Sequence, residues 1–187
     1  MLEIEMKFPV EALPSVREKL LSLTADPPVK RREEDQYFNA SDRDFADTDE
    51  ALRLRRIGSA NFATYKGPRA AGDTKTRTEI EVCLREGDET AIQFEKFLRC
   101  LGFRPVAKLQ KDREIFHLER GGFRIEACLD CVAGVGNFVE LEILAPEEQY
   151  QAARRVLLSL ADEIGLKNPV TLSYLEMLLD ARGGTTE

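Results

Sequence analysis

No apolar run of about 18 residues occurs in the 187-residue chain, so it holds no candidate for a membrane-spanning helix. Histidine occurs once, at His117, and cysteine four times, at Cys83, Cys100, Cys128 and Cys131. Only Cys128 and Cys131 have CxxC spacing, and a structural zinc site needs a second such pair or histidines at ligand spacing. Reduced, half-buried thiols are the expectation instead. Glycine and proline are not enriched and 43% of residues are hydrophobic, a globular composition rather than a disordered one. Positive charge is in deficit: the net charge is -7 and the pI about 5.0. Such a surface does not attract nucleic acid non-specifically, so an anionic ligand must be held by a local cluster of cations. The opening MLEIEMKF lacks a basic segment followed by an apolar core, which argues against a signal peptide and for a cytoplasmic location.

The pattern is mostly strands with a few helices. Helical spacing of apolar residues runs over Glu11 to Leu23 and over Asp88 to Leu101, with Gly102 as a stop. Pro146 is placed to open a third helix reaching Ile164, ahead of Gly165, and a short fourth covers Leu172 to Leu179. Alternation marks the strands. Leu2, Ile4, Met6 and Phe8 share one face, and Glu3, Glu5 and Lys7 the other. Leu52 and Leu54 alternate with Arg53 and Arg55; Ile80, Val82 and Leu84 with Glu79 and Glu81. The odd residues from Phe123 to Leu129 alternate with Arg124, Glu126, Cys128 and Asp130, and Val139, Leu141 and Ile143 with Glu140 and Glu142. Further strands fall over 30–39, 62–66 and 111–118. About eight strands joined by short turns argue for an antiparallel sheet, enough to close into a barrel. No linker divides the chain, so the expectation is one α+β domain over 1–182 with a flexible tail, 183–187.

The charged faces carry the functional signal. One wet face is normal for an antiparallel sheet. Here, however, like charges stack within strands: Arg53 with Arg55, Lys111 with Arg113, Glu3 with Glu5, Glu79 with Glu81, Glu140 with Glu142. A merely soluble face would mix signs. Helices with apolar stripes need an apolar sheet face to cover, which would turn the charged faces inward to line a tunnel. Burying so many charges unpaired is prohibitive. A polyphosphate with its metals would resolve it, since phosphate oxygens pair with Arg and Lys while carboxylates hold Mg²⁺ or Mn²⁺.

An ordered series of motifs spans nearly the whole chain. It runs from Glu3-Ile4-Glu5-Met6-Lys7 through Asp35-Gln36-Tyr37-Phe38, Ala51-Leu52-Arg53-Leu54-Arg55 and Tyr65-Lys66-Gly67-Pro68. Arg77-Thr78-Glu79-Ile80-Glu81, Lys111-Asp112-Arg113, Leu129-Asp130, the stretch from Gly134 to Glu142 and Ser173-Tyr174 complete it. This series resembles the CYTH superfamily, the triphosphate tunnel metalloenzymes, and within it is most similar to class IV adenylate cyclases. The resemblance implies an eight-stranded antiparallel closed β-barrel (a tunnel) with peripheral helices, often as a homodimer. It also implies an enzyme that uses Mg²⁺ or Mn²⁺ on ATP or another triphosphate compound. Adenylate cyclase, triphosphatase and non-catalytic polyphosphate or nucleotide binder all remain open at this point.

By resemblance, Glu5 and Glu140 are the leading metal ligands, with Glu3 and Glu142 next and Asp130 a ligand for a second metal. Lys7, Arg53, Arg55, Lys66, Lys111, Arg113 and Arg124 are the phosphate-binding set. Lys7, Glu5 and Glu140 carry the catalytic expectation; among other cations, Lys7 would lose its proton more readily and could act as a base. Glu79 and Glu81 either hold a metal or orient the cations, the second being favoured for Glu79, and Glu126 is placed with this orienting set. His117 reads as a strand-end residue, and the glycines at 134 and 136 as the turn feeding the Glu140 strand.

Overall fold

The computed structural model describes residues 2–24, 26–69 and 77–183. Its strands are β1 (Leu2–Val10), β2 (Val29–Asn39), β3 (Ala51–Ile57), β4 (Ala60–Arg69), β5 (Arg77–Leu84), β6 (Arg104–Arg120), β7 (Phe123–Val132) and β8 (Gly136–Ala145). Its helices are α1 (Leu13–Leu23), α2 (Asp88–Cys100), α3 (Tyr150–Ile164) and α4 (Tyr174–Gly183). The class is α+β, and the eight strands form an antiparallel sheet in the order β1-β8-β7-β6-β2-β3-β4-β5. Among the described residues β1 and β5 are the two ends of that order. No helix is long and apolar enough to cross a membrane. Part of the tail, 184–187, lies outside the described residues.

Contacts divide the chain into two units. The first holds 2–31 and 111–183. Its core lies where the even side chains of β1 and the odd ones of β7 and β8 meet α1 and α3: Ile4, Phe8, Ile125, Leu129, Val139, Leu141 and Ile143 pack on Val16, Leu20, Leu157, Leu160 and Ile164. Both helices follow from their spacing. Val16 and Leu20 fall one turn apart in α1, and Ala153, Leu157, Leu160, Ala161 and Ile164 form one stripe in α3. Gly165 ends α3 in the left-handed region (φ 81°), and Leu166 N–H donates to Ala161 O at 2.7 Å, a Schellman closure. Pro146 does not open α3: its extended ψ of 152° precedes a single 3₁₀ turn, and the α-helix begins at Tyr150. The start of α4 also moves, from Leu172 to Tyr174. Ser173 and Glu176 form a reciprocal capping box there, Glu176 N–H donating to Ser173 Oγ (3.2 Å) and Ser173 N–H to Glu176 Oε2 (2.7 Å).

The second unit holds 32–69 and 77–110. Its smaller core joins Phe38 and Leu54 to Ala91 and Leu98 of α2, with Leu52, Leu84, Phe94 and Phe103 partly buried against it. Asp88 and Glu89 favour the α2 N-terminus. The sheet partners of β4 shift register between Lys66 and Arg69, where Gly67-Pro68 interrupts the ladder. One expectation fails here. The apolar row of β5 is not wholly covered: Ile80 is 55% and Val82 51% exposed, and only Leu84 reaches the core. The buried stripe of α2 is spent on β2 and β3, which leaves the edge strand's outer row in solvent.

Leu157 is fully buried, whereas its neighbour Leu158 is 38% exposed. Leu157→Ala is expected to lose about 2–5 kcal/mol of stability, and Leu158→Ala less than about 1 kcal/mol, by urea unfolding monitored by circular dichroism.

Candidate functional site

In the first unit the face of β1, β7 and β8 opposite the core carries the charge. Register sets two rows. Glu5 pairs with Glu142, and Glu142 with Glu126; one step along, Lys7 pairs with Glu140, and Glu140 with Cys128. Directly opposed side chains lie about 5 Å apart, close enough to interact. A further step along β7, Asp130 faces Arg113 of β6.

Asp130 is fully buried and fully engaged. Arg113 donates to it twice, Nε to Oδ1 at 2.6 Å and Nη2 to Oδ2 at 2.5 Å. Oδ2 also accepts from the Tyr174 hydroxyl at 2.8 Å and from Lys111 Nζ at 3.4 Å. Arg113 reaches on to Glu140 Oε2. Lys7, only 4% exposed, has its Nζ 3.2 Å from Glu140 and 3.8 Å from Glu5. Its nearest charged partners are therefore carboxylates, not the cations expected from sequence.

The two central glutamates differ sharply. Burial pushes Glu140 up, but Arg113, Lys111 and Lys7 outweigh it and hold its carboxyl well below the usual carboxylate range. Burial also pushes Glu142 up, and there the neighbours Glu3, Glu126, Glu5 and Glu140 reinforce it, to about 8. Glu142 thus marks a place where negative charge is in excess. Burial raises the Cys128 thiol, keeping it protonated, and its Sγ donates to Glu126 Oε1 at 3.5 Å. His117 Nε2 stands 3.4 Å from Glu126 on the neighbouring strand.

The second unit holds a separate cluster. Arg55 donates bidentately to Asp35 (2.7 Å twice) and pairs with Glu33 at 2.9 Å. All three arms of its guanidinium are engaged by these buried carboxylates. Arg53 differs. Its Nη2 donates to Thr64 Oγ1 at 3.2 Å, Asp35 and Glu81 lie 3.9 Å away, and its buried Nε has no acceptor among the described residues. Lys66 pairs with Glu79 at 2.8 Å.

A family model described as "CYTH domain" matches residues 1–172. The chain belongs to the CYTH family. This CYTH chain is 38% identical over 182 residues to "Putative adenylate cyclase MJ0240" of Methanocaldococcus jannaschii, covering 95% of this chain and 98% of that one. Among solved structures it is similar to the PH1819 protein of Pyrococcus horikoshii OT3, with TM-score 0.81, 36% identity and coverage of 95% and 98%. A Hippeastrum protein described as a putative adenylyl cyclase with a dominant triphosphatase activity shares the fold at 16% identity (TM-score 0.65, coverage 100% and 97%).

Within the CYTH domain, Lys7, Glu5, Glu140, Glu142, Lys111, Arg113, Asp130 and Glu126 belong to the first cluster, and Arg53, Arg55, Lys66, Glu79 and Glu81 to the second. Glu3 and Arg124 lie at the exposed end of the first, Arg124 opposite Glu119 and Glu3 opposite Leu144. The like-charge strands are reconciled largely by their neighbours: Arg53 and Arg55 by Asp35 and Glu33, Lys111 and Arg113 by Asp130 and Glu140. A cross-strand ion network thus removes much of the need for a ligand, except around Glu142. Sequence reasoning assigned no role to Glu33, Asp35, Thr64 or Tyr174. The first two were findable, because Glu33 and Asp35 share a strand face exactly as far apart as Glu3 and Glu5. Cysteines 128 and 131 fall on opposite faces of β7, one buried and one exposed, and all four thiols are free.

Among the described residues no group of three or more Asp, Glu, His or Cys side chains is placed to hold a metal ion. The donor type, carboxylates on adjacent strands, is the one a hard divalent cation takes, and the negative neighbours that raise Glu142 would favour such a cation there.

Glu142 binds a proton more tightly in the folded state than in the unfolded one. Its contribution to stability is full below about pH 4.5 and is lost as pH rises to about 8. The metal-free protein is therefore expected to lose up to about 1.4 kcal/mol per pH unit across that window, and Glu142→Gln to flatten the slope, in urea melts at stepped pH. Asp130→Asn leaves Arg113 and Lys111 buried without their countercharge and is expected to destabilise by about 3–5 kcal/mol in the same assay.

Proposed function

We propose that this CYTH chain is a metal-dependent enzyme acting on a triphosphate compound, with class IV adenylate cyclase activity that converts ATP to cyclic AMP and pyrophosphate. One observation carries the reading: the Glu5–Glu142–Glu126 row lies beside the buried cations Lys7, Lys111 and Arg113, with Glu142 pushed up to about 8. Carboxylates with excess negative charge next to fixed cations suit a metal-bearing polyphosphate. The likeness to the Methanocaldococcus jannaschii protein supports the cyclase reading.

In this reading Glu5 and Glu140 are the principal ligands of Mg²⁺ or Mn²⁺, with Glu3 and Glu142 beside them. When bound, the metal neutralises phosphate charge and makes the attacking hydroxyl more acidic. Lys7, Lys111 and Arg113 bind phosphate oxygens from positions already fixed by Glu140 and Asp130, so little reorganisation accompanies binding. Asp130 orients those cations and, in the same reading, is the candidate ligand of a second metal. Arg53, with donors to spare, binds phosphate more readily than Arg55, and Lys66 and Arg124 complete the proposed set. Glu79, Glu81 and Glu126 orient their neighbours. The rate then comes chiefly from positioning the ribose 3′-hydroxyl and α-phosphorus in line. Residues 1–182 act as one cytoplasmic CYTH domain, a reading supported by the model's span over 1–172, and the homodimer implied by the resemblance is kept with it.

The Hippeastrum relative favours a second reading, hydrolysis of thiamine triphosphate, tripolyphosphate or a nucleoside triphosphate. Incubating the protein with ATP, thiamine triphosphate and tripolyphosphate, each with Mg²⁺ or Mn²⁺, separates the two. Cyclic AMP with pyrophosphate is the expected product; orthophosphate instead establishes the triphosphatase. Glu5→Gln and Glu140→Gln are each expected to lower turnover about 100-fold or more with the fold preserved. Tight binding without any turnover would establish a non-catalytic binder and overturn both enzyme readings.

A further inference from the structure

The C-terminal segment 170–178 makes an unusual set of contacts with one residue, Lys7. Val170 N–H donates to Lys7 O at 2.8 Å, an isolated bridge to β1. The Lys7 ammonium in turn donates to Leu172 O at 3.3 Å. Two residues on, the Tyr174 ring lies face-on to the same ammonium, its centroid 4.1 Å from Nζ, with Lys111 Nζ at 5.3 Å. Phe138 of β8 braces the ring edge-on at 5.0 Å, and the hydroxyl is tied to Asp130. The ring is thus fixed at both ends before it meets Lys7. Its place in the chain is fixed as well: the capping box of Ser173 and Glu176 makes Tyr174 the first residue of α4, and the buried Leu178 anchors the helix one turn on.

A lysine has a flexible four-carbon stem, and an ammonium near two carboxylates alone could turn toward either. A carbonyl on one side and a ring face on the other leave it one orientation, toward Glu140 and Glu5. We propose that Tyr174 is a positioning residue that aims the Lys7 ammonium, acting through its ring face, and that the Asp130 hydrogen bond holds the ring at the correct angle. The Ser173-Tyr174 pair then has a division of labour: Ser173 starts the helix where Tyr174 can reach the site. The kinetic part of this inference rests on the reading under Proposed function; the placement of Lys7 does not.

Competitive acetylation with acetic anhydride, read by mass spectrometry, tests the placement without any substrate. Lys30, whose side chain is 69% exposed, is the reference. Tyr174→Leu removes the ring and is expected to raise Lys7 labelling about 10-fold relative to Lys30, whereas Tyr174→Phe keeps the ring and stays within about 2-fold of the parent. Ser173→Ala, which only weakens the cap, falls between them. In turnover assays Tyr174→Leu lowers kcat more than it raises KM, and Tyr174→Phe recovers most of the loss. Equal Lys7 labelling in the parent and Tyr174→Leu overturns the inference, as does a parallel rise at Lys19 and Lys111 with lost circular dichroism, which marks general loosening. Lys7 released in Tyr174→Leu, in a protein that turns over no triphosphate, upholds the positioning role and sinks the enzymatic reading instead.

Discussion

Arg113 and Asp130, both buried, face each other across β6 and β7, and the charged face of the first unit depends on that pair. An isolated ion at that depth would be strongly disfavoured, and the pair is tolerable only because its spare valences are filled. Tyr174 and Lys111 fill those of Asp130, and Glu140 takes what Arg113 has left. Glu140 in turn receives Lys7. Each side chain is oriented by the next, so the cations are held in place before any ligand arrives. The same chain of contacts stops short of Glu142, where neighbouring carboxylates raise proton affinity instead. Saturation on one side and an excess of negative charge on the other follow from register alone, since Glu140 and Glu142 are two residues apart on one strand.

Much of this was legible in the alternation of β1, β7 and β8. Once Ile4, Met6 and Phe8 are assigned to a core, Glu5 and Lys7 can only point the other way, and helices α1 and α3 have the stripes to cover that core. The motif series then identified the family. The residues opposing each cation were harder to read, because pairing partners come from the sheet order, which places β6 next to β2 and β8 next to β1. Thus Lys111 and Arg113 were visible as a like-charged pair, whereas their shared dependence on Asp130, and of Arg55 on Glu33, needed coordinates. Tyr174 was visible only as half of a motif; its reach to Lys7 spans nearly the whole sequence.

The second unit illustrates how adjacent arginines in one motif diverge. Arg55 and Arg53 have the same spacing logic, yet β2 presents two carboxylates to the first and only a distant one to the second. A guanidinium locked into two carboxylates is a girder, whereas one with an idle nitrogen can accept an anion. The exposed row of Ile80 and Val82 on β5 shows the converse limit of pattern reading. Alternation says which side chains share a face, not whether another element lies over that face.

Strand β6 runs unbroken for 17 residues while its first part belongs to one unit and its remainder, from Lys111 onward, to the other. The two units are consequently not separable modules. A proteolytic nick between Gln110 and Lys111 would cut β6 in two and leave β1 on one fragment and its partner β8 on the other.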